Sequence, residues 1–263
     1  MHLRTTYAFV TILGLAGCTQ SSPAPASSAS APASTPAASA APAAESEKPQ
    51  ASPAPAPTGA PATTSAPSGA SPGTWRFDVD RADATPAGFS FGRTGSGALG
   101  RWVVRPEADA PSPPNVLAQL DADDTDNRFP VAVAEAPSLR DARITVRCKM
   151  VSGKVDQACG LVFRYRDENN YYITRANALE NNTRLYTVKE GRRKQLASYS
   201  GTVTAGKWHE YAVEIRGDHI QVFWDGQKIL DHHDATFPEA GRIGVWTKAD
   251  SVTYFDDLSV ASL

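Results

Sequence analysis

The chain has 263 residues, of which 41% are hydrophobic and 21% are charged, and its formal net charge at pH 7 is −2. Such a balanced charge gives no overall field that would favour nucleic acid or an anionic membrane as a partner. Up to about residue 72 the sequence is mostly Ala, Pro and Ser. Only the remaining part of the chain can therefore bury a hydrophobic core.

The first residues have the pattern of a secretory signal. Arg4 gives a short positive region, and an apolar run then extends from residue 7 to residue 15. Because this run is too short to cross a bilayer, it predicts a cleaved signal peptide at residues 1–17.

The sequence LAGC that ends the run resembles the lipobox of bacterial lipoproteins. This resemblance implies cleavage before Cys18 and acylation of that residue. Thr19 stands where lipoproteins retained at the inner membrane usually carry Asp, so the resemblance favours the outer membrane. An ordinary cleaved signal followed by an unmodified cysteine is the alternative.

The segment from Cys18 to residue 73 is predicted to be a disordered tether, because Pro recurs every few residues and charges are rare. As a random coil it would span roughly 40 Å. The folded domain is predicted to occupy residues 74–263.

Short segments of alternating apolar and polar residues predict strands throughout this domain. They are 75–79, 101–105, 115–120, 128–134, 142–150, 159–166, 207–215, 219–224, 242–248 and 252–260, and the others lie between residues 167 and 196. A Gly-rich connection is expected between the first two. With about twelve strands and no helical pattern, the domain is predicted to be all-β, a two-sheet antiparallel jelly-roll sandwich.

A disulfide is predicted from the pairing of strands 142–150 and 159–166. Aligning their apolar faces pairs Val146 with Leu161 and puts Cys148 opposite Cys159. Opposed Cα atoms in an antiparallel pair lie about 4.5 to 5.5 Å apart, which is within disulfide range. Export makes oxidation possible, and two buried thiols are the alternative.

Residues 160–196 predict a four-stranded antiparallel meander, because the polar groups DENN, LENN and KEGR interrupt it at strand-length spacing. Turns at these groups would pair Val162 with Arg175, Arg175 with Tyr186, and Tyr186 with Gln195. One face of the sheet would then be rich in arginine.

Guanidinium groups crowded on one face repel one another unless acids or a ligand lie between them. The turn acids Asp167, Glu168 and Glu180 could balance a solvated face. Alternatively, the face binds a ligand, since Arg, Asn and Gln beside a Tyr ring suit sugar hydroxyls or carboxylates. The predicted binding residues are Arg164, Arg175, Asn177, Arg184, Tyr186 and Gln195, with Trp246, Lys248 and Asp250 at the rim.

The C-terminal third contains W-H-x-Y-x-V-E-I and I-Q-V-x-W-D-G between residues 208 and 226, then GRIGVW at 241–246 and FDDL at 255–258. These segments resemble the concanavalin A-like lectin/glucanase superfamily. The domain is most similar to its laminin-G-like bacterial branch, which includes the 3-keto-disaccharide hydrolase family. The resemblance covers about residues 75–260 and implies a jelly roll, a fold that hosts lectins, hydrolases and adhesion modules.

Catalytic and metal motifs are weak. The glucanases of this superfamily carry Glu-x-Asp-x-x-Glu on a strand, whereas Asp121-x-Asp123-x-x-Asp126 has only the spacing and lies in a polar turn. The same turn lacks an EF-hand ligand pattern, so no cofactor is predicted, although calcium in another geometry stays open. The adjacent residues 232–234, His-His-Asp, make a poor zinc set, and no metal is predicted there.

The sequence as a whole predicts a monomeric, lipid-anchored domain of the bacterial cell envelope that binds a glycan or a related envelope polymer. One alternative, implied by the resemblance, is an enzyme that cleaves oxidised 3-keto disaccharides. The other is a structural module that docks a protein.

Overall fold

The computed structural model describes residues 73–263. The predicted signal peptide, Cys18 and the tether up to residue 72 lie outside this range. Residues 73–263 contain no helix that is long and apolar enough to cross a membrane.

The described residues form fifteen strands. They are Gly73–Trp75 (β1), Phe89–Gly95 (β2), Trp102–Pro106 (β3), Asn115–Gln119 (β4), Arg128–Ala134 (β5), Ala142–Ser152 (β6), Ala158–Asp167 (β7), Asn170–Asn177 (β8), Asn182–Lys189 (β9), Arg192–Ser200 (β10), His209–Arg216 (β11), His219–Trp224 (β12), Gln227–His233 (β13), Arg242–Trp246 (β14) and Val252–Ser262 (β15).

The strands form two antiparallel sheets, and the predicted all-β jelly-roll sandwich is confirmed. One sheet has eight strands in the order β13-β12-β11-β6-β15-β4-β3, with β1 paired to β15. The other has seven strands in the order β10-β9-β8-β7-β14-β5-β2.

The main core lies between the two sheets and draws alternate residues from both. In β6, for example, Ile144 and Val146 point into the core and are fully buried. On the other side of the core, in the seven-stranded sheet, Phe163 of β7 stacks on its neighbour Tyr172 of β8 with ring centroids 5.2 Å apart. This alternation is the reason that most strand bounds could be predicted from the sequence.

Three strands differ from the prediction. The first strand is shorter than predicted and ends at Trp75, and Phe77 has a φ of 65°, outside the extended region. Strand β2 lies within the Gly-rich segment that was predicted to be a connection. Strand β13 was missed because its side chains are mostly exposed and lack a buried face, although the hairpin turn at Asp225 and Gly226 that leads into it is present.

The predicted pairing of β6 with β7 is wrong. Strand β6 pairs with β11 and β15 in one sheet, whereas β7 pairs with β8 and β14 in the other. The structure nevertheless contains a disulfide between Cys148 and Cys159, with Cα atoms 6.5 Å apart, and this bond joins the two sheets. Apolar residues that meet across a core show the same alternation as residues paired within a sheet, so the pattern could not separate the two arrangements.

We predict that reducing this disulfide lowers the free energy of unfolding by about 3 kcal/mol, because it releases a short loop closed across the core. Urea unfolding with and without a phosphine reductant measures the change. The variant Cys148→Ala/Cys159→Ala is the control and should not respond to reductant. Equal midpoints for the oxidised and reduced protein would contradict the prediction.

Candidate functional site

Strands β7 to β10 form the predicted meander, but two of the three predicted registers are displaced. The KEGR turn pairs Tyr186 with Gln195 as predicted. Val162, however, faces Ile173 rather than Arg175, and Arg175 faces Arg184 rather than Tyr186.

The first displacement comes from an irregularity in β7. Phe163 pairs with Tyr172 and Asp167 with Asn170, so three residues of β7 oppose one residue of β8. Within this bulge Arg164 has a φ of 46°, which turns its side chain away from the meander face. No glycine or proline marks the bulge in the sequence.

Arg164 was predicted to bind a ligand, and the structure gives it a different environment. Its guanidinium is buried and donates hydrogen bonds to the backbone carbonyls of Arg140, Phe237 and Gly217. Asp141 lies 3.6 Å away. Arg164 therefore joins three loops at one end of the sandwich and does not contribute to the face that carries Arg175.

A second apolar cluster covers the side of the seven-stranded sheet that is turned away from the main core. Trp246 is fully buried there and stacks on Phe129 with ring centroids 5.5 Å apart. Gly160 lies beneath the indole, and a Cβ at this position would come within 3.1 Å of Trp246 and 2.7 Å of Ile173. The glycine thus lets the indole lie close to the sheet. We call this side of the sheet the arginine face, after Arg175, Arg184 and Arg193.

The directly opposed guanidiniums of Arg175 and Arg184 share one carboxylate. Glu180 Oε2 lies 3.0 Å from Arg175 Nη2 and 3.1 Å from Arg184 Nη1. It also accepts a hydrogen bond from Asn182. Burial opposes ionisation of Glu180, but the bond from Asn182 and the two positive charges outweigh it and lower the pKa of the carboxyl. The turn acid therefore relieves the repulsion that the sequence pattern raised.

Asn177 extends this network to a second carboxylate. Its amide nitrogen donates to Glu180 at 3.2 Å and to Asp156 at 2.9 Å. Asp156 is fully buried, and this burial raises its pKa, although Lys248 lies only 3.1 Å away. Lys248 also pairs with Asp126 at 2.5 Å. Three acids and three cations are thus linked in one array of ion pairs and hydrogen bonds.

Arg193 was not among the predicted binding residues, yet it lies on the same face. Its guanidinium carbon lies 4.4 Å from the ring centroid of Phe129 and 4.6 Å from that of Tyr186. No ion pair to Arg193 occurs within residues 73–263. Burial lowers the pKa of this guanidinium. Gln195 is exposed on the same edge strand, opposite Tyr186.

Several donors on this face are buried and have no well-aligned hydrogen bond among the described residues. They are Arg175 Nε, Arg184 Nε, Arg193 Nη1 and Trp246 Nε1. The hydroxyls of Tyr186 and Tyr171 lie near the Arg184 and Trp246 donors. Buried polar groups in folded proteins are normally paired. Four such donors therefore lie together beside the aromatic rings of this face.

Asp250, predicted at the rim, has a different role. Its carboxylate accepts hydrogen bonds from the backbone amides of Lys154, Val155 and Asp156, so it holds the turn between β6 and β7. It also lines an open cavity of about 600 Å³ at this end of the sandwich. Ala122 and Asp124 belong to the same lining.

The acids of the turn at 121–126 mostly face protein donors. Asp121 pairs with Arg128 at 3.2 Å, and Asp123 accepts hydrogen bonds from Thr125 and from the amide of Ala98. Asp126 pairs with Lys248. Within residues 73–263 this turn does not form a group of three converging metal ligands.

Sequence reasoning noted Glu180 as a turn acid but missed Asp156 and Asn182. The register of β7 with β8 brings Asp156 to Asn177, and the register of β8 with β9 places Asn182 opposite Asn177. Only the structure shows the contact of Arg193 with the aromatic rings.

Residues 112–261 match the family described as the 3-keto-alpha-glucoside-1,2-lyase-like domain. The chain belongs to this family. The match spans more than half of the chain and includes every strand from β4 to β14, and with them Arg175, Arg184 and Arg193 of the arginine face.

Comparison with solved structures shows that the fold is shared with a known module. Carbohydrate-binding module CBM66 from Bacillus subtilis is 20% identical and superposes with a TM-score of 0.51, covering 68% of this chain and 98% of the module. The levanase of Bacillus subtilis strain 168 is 26% identical over 108 residues, which is 40% of this chain and 15% of the levanase. The chain therefore matches only a small part of that enzyme.

We predict that two arginines of the meander differ sharply in their effect on stability. Arg164→Ala removes the buried guanidinium that donates to three loop carbonyls and should lower the free energy of unfolding by about 3 kcal/mol or more. Arg184→Ala removes a partly exposed ion pair and should cost less than about 1 kcal/mol. Urea unfolding monitored by tryptophan fluorescence compares the two, and equal losses would show that Arg164 does not clamp the loops.

Proposed function

We propose that this protein is a lipid-anchored domain of the bacterial cell envelope that binds a glycan through the arginine face. The four buried donors without a well-aligned hydrogen bond, set beside stacked aromatic rings, are the observation that carries the proposal. Sugar hydroxyls can accept from such donors, while the apolar face of a sugar ring packs on aromatic side chains.

The exposed edge of the sheet offers a route to this face. Arg184, Arg193 and Gln195 lie on β9 and β10, the outermost strands on that side. The side chain of Arg193 covers the rings of Phe129 and Tyr186. Rotation of this long side chain would expose both rings and free its own donors for a ligand.

The charges of the face favour a ligand rich in acceptors. Arg175, Arg184 and Lys248 pair with Glu180, Asp156 and the exposed Asp126, whereas Arg193 has no acidic partner among the described residues. Guanidinium groups donate hydrogen bonds and cannot accept them. A glycan with many hydroxyls or with carboxylates fits this excess of donors better than an apolar or cationic partner.

The names of two similar proteins support the same function. The solved module with the shared fold is named as carbohydrate-binding, and the levanase is named for its action on levan. Levan is therefore a sensible first probe. Acylated Cys18 would anchor the domain, and the mass of the membrane-extracted protein would reveal the lipid on that residue.

We predict that Arg193→Ala lowers glycan affinity at least tenfold, because it removes the donor that covers the aromatic rings. Affinity electrophoresis through gels containing levan and other bacterial polysaccharides measures retardation. Arg192→Ala is the matched control, since the neighbouring residue on β10 points to the other side of the sheet. Equal retardation of both variants, or no retardation of the wild-type protein by any glycan, would contradict the assignment.

Family membership favours a second function, elimination on a 3-keto-α-glucoside. In a 1,2-elimination, a base removes the C2 proton, which the C3 carbonyl acidifies, a double bond forms between C1 and C2, and the oxygen on C1 takes up a proton and leaves as an alcohol. Asp156, whose pKa burial raises, lies beside Lys248 and could act as the base with a cation near the developing enolate.

Incubation with a 3-keto-α-glucoside separates the two functions. An eliminating enzyme releases the group attached at C1 and forms a conjugated enone that absorbs in the ultraviolet, and Asp156→Asn should abolish both signals. A binding domain retains the glycan and produces neither. A glycan array distinguishes both from the third possibility, a module that docks a protein.

A further inference from the structure

The hairpin formed by β12 and β13 carries a cluster of histidines and acids, and it belongs to a different sheet from the arginine face. It lies at the edge of the eight-stranded sheet, whereas the arginine face belongs to the seven-stranded sheet. The antiparallel register places His219 directly opposite His233, and Gln221 opposite Asp231. These four side chains therefore share one face of the hairpin.

The sequence suggested a different grouping here. His232, His233 and Asp234 are adjacent in the chain, but side chains alternate along a strand, and Asp234 accepts a hydrogen bond from Tyr172 at 2.5 Å. His233 instead joins His219 and Asp231 across the hairpin. We call these three residues, His219, Asp231 and His233, the hairpin triad.

The potential ligand atoms of the triad converge. One ring nitrogen of each histidine and one carboxylate oxygen all lie within 4.8 Å of one another. His219 Nε2 lies 2.6 Å from Asp231 Oδ1. The two imidazole rings are parallel, with centroids 4.5 Å apart. Such atoms need only small rotations of exposed side chains to reach the spacing of about 3.3 Å between ligands of a tetrahedral zinc ion, given bonds of about 2.0 to 2.1 Å.

Outer contacts already orient two of the three ligands. Asp218 Oδ1 lies 3.1 Å from His233 Nδ1, which leaves Nε2 of that ring free to bind. Gln221 and Lys228 donate to Asp231 Oδ2 at 2.8 Å and 2.6 Å, which leaves Oδ1 directed at His219. A carboxylate on the second nitrogen of a histidine ligand is a common outer contact in metal sites.

We propose that the hairpin triad binds a divalent transition metal ion such as Zn²⁺. The ion would take the position of the hydrogen between His219 Nε2 and Asp231 Oδ1, and in the neutral ring that hydrogen would move through solvent to Nδ1, so that Nε2 coordinates the metal. Two imidazole nitrogens and one carboxylate oxygen suit zinc and its neighbours in the first transition row rather than calcium or magnesium. Three protein ligands leave one coordination position for water or an external ligand.

The charge of Lys228 provides a specific test of metal binding at the hairpin triad. Its ammonium group lies beside the carboxylate that the metal would use, and like charges oppose each other. Replacing Lys228 by Gln should keep a donor to Asp231 and remove the charge. The variant should then bind the metal several-fold more tightly, whereas a purely structural triad would show no metal response to this change.

Isothermal titration of the untagged full-length protein with ZnCl₂ tests the proposal. One ion per chain is expected, with at least tenfold weaker binding in His219→Gln and in His233→Gln. His232→Gln is the matched control, because it lies on the same strand and faces the other side. Binding that is absent in the wild-type protein, or equally weakened in His232→Gln, would overturn the proposal.

Titration with Co²⁺ provides a second measurement that needs no variant. Nitrogen and oxygen ligation in a tetrahedral site gives an intense visible absorption, and an octahedral aqueous ion gives a weak one. The intense band is expected at one equivalent of Co²⁺. Its absence would overturn the assignment even if the histidine variants were unstable.

Discussion

The arginine face depends on one carboxylate, that of Glu180, between two guanidiniums. The register of β8 with β9 places Arg175 and Arg184 directly opposite each other, where like charges on a sheet repel. Glu180 binds both, and Asn182 and Asn177 hold the carboxylate in position. Because this one acid satisfies several donors at once, the remaining nitrogens of the face keep hydrogen-bonding capacity that the protein itself does not use.

Burial gives this network its chemical character. Asp156 is enclosed and its pKa is raised, whereas Glu180 stays ionised because its partners outweigh its burial. The side-chain amide of Asn177 donates hydrogen bonds to both acids. Their environments push their pKa values in opposite directions, a difference that also separates acids from bases in catalytic sites. This arrangement is the reason that both proposed functions, binding a sugar and acting on one, use the same face.

Much of the fold could be predicted because side-chain alternation and tight turns depend on residues that are close together in the sequence. Strand β5, for example, was predicted at residues 128–134, the bounds that it has in the structure, and the tight KEGR turn determined the register of β9 with β10. What could not be predicted depends on contacts between distant segments. The bulge at Arg164 has no signal in the sequence, and the alternation in β6 and β7 is equally compatible with pairing in one sheet or with contact across the core. The bulge removed Arg164 from the predicted face, whereas the second error placed β6 and β7 in one sheet without changing which of their residues face the core.

The two sheets also separate two kinds of chemistry. The seven-stranded sheet carries guanidiniums and aromatic rings, and the edge of the eight-stranded sheet carries exposed imidazoles and carboxylates on a tight hairpin. The Cys148–Cys159 disulfide joins these sheets, so it holds both surfaces on one rigid scaffold. Membership of the lyase-like family is compatible with either use of the arginine face and gives no role to the hairpin.

The most direct measurement of the central claim is the two-dimensional ¹H–¹⁵N spectrum of the tryptophan indoles during addition of a retained glycan. The indole N–H of Trp246 lies near the Tyr171 hydroxyl without a well-aligned hydrogen bond and stacks on Phe129 within the arginine face. The account predicts that its resonance shifts in proportion to binding, while those of Trp208 and Trp224, which belong to the other side of the sandwich, stay in place. A glycan that binds and moves only the signals of Trp208 or Trp224 would contradict it.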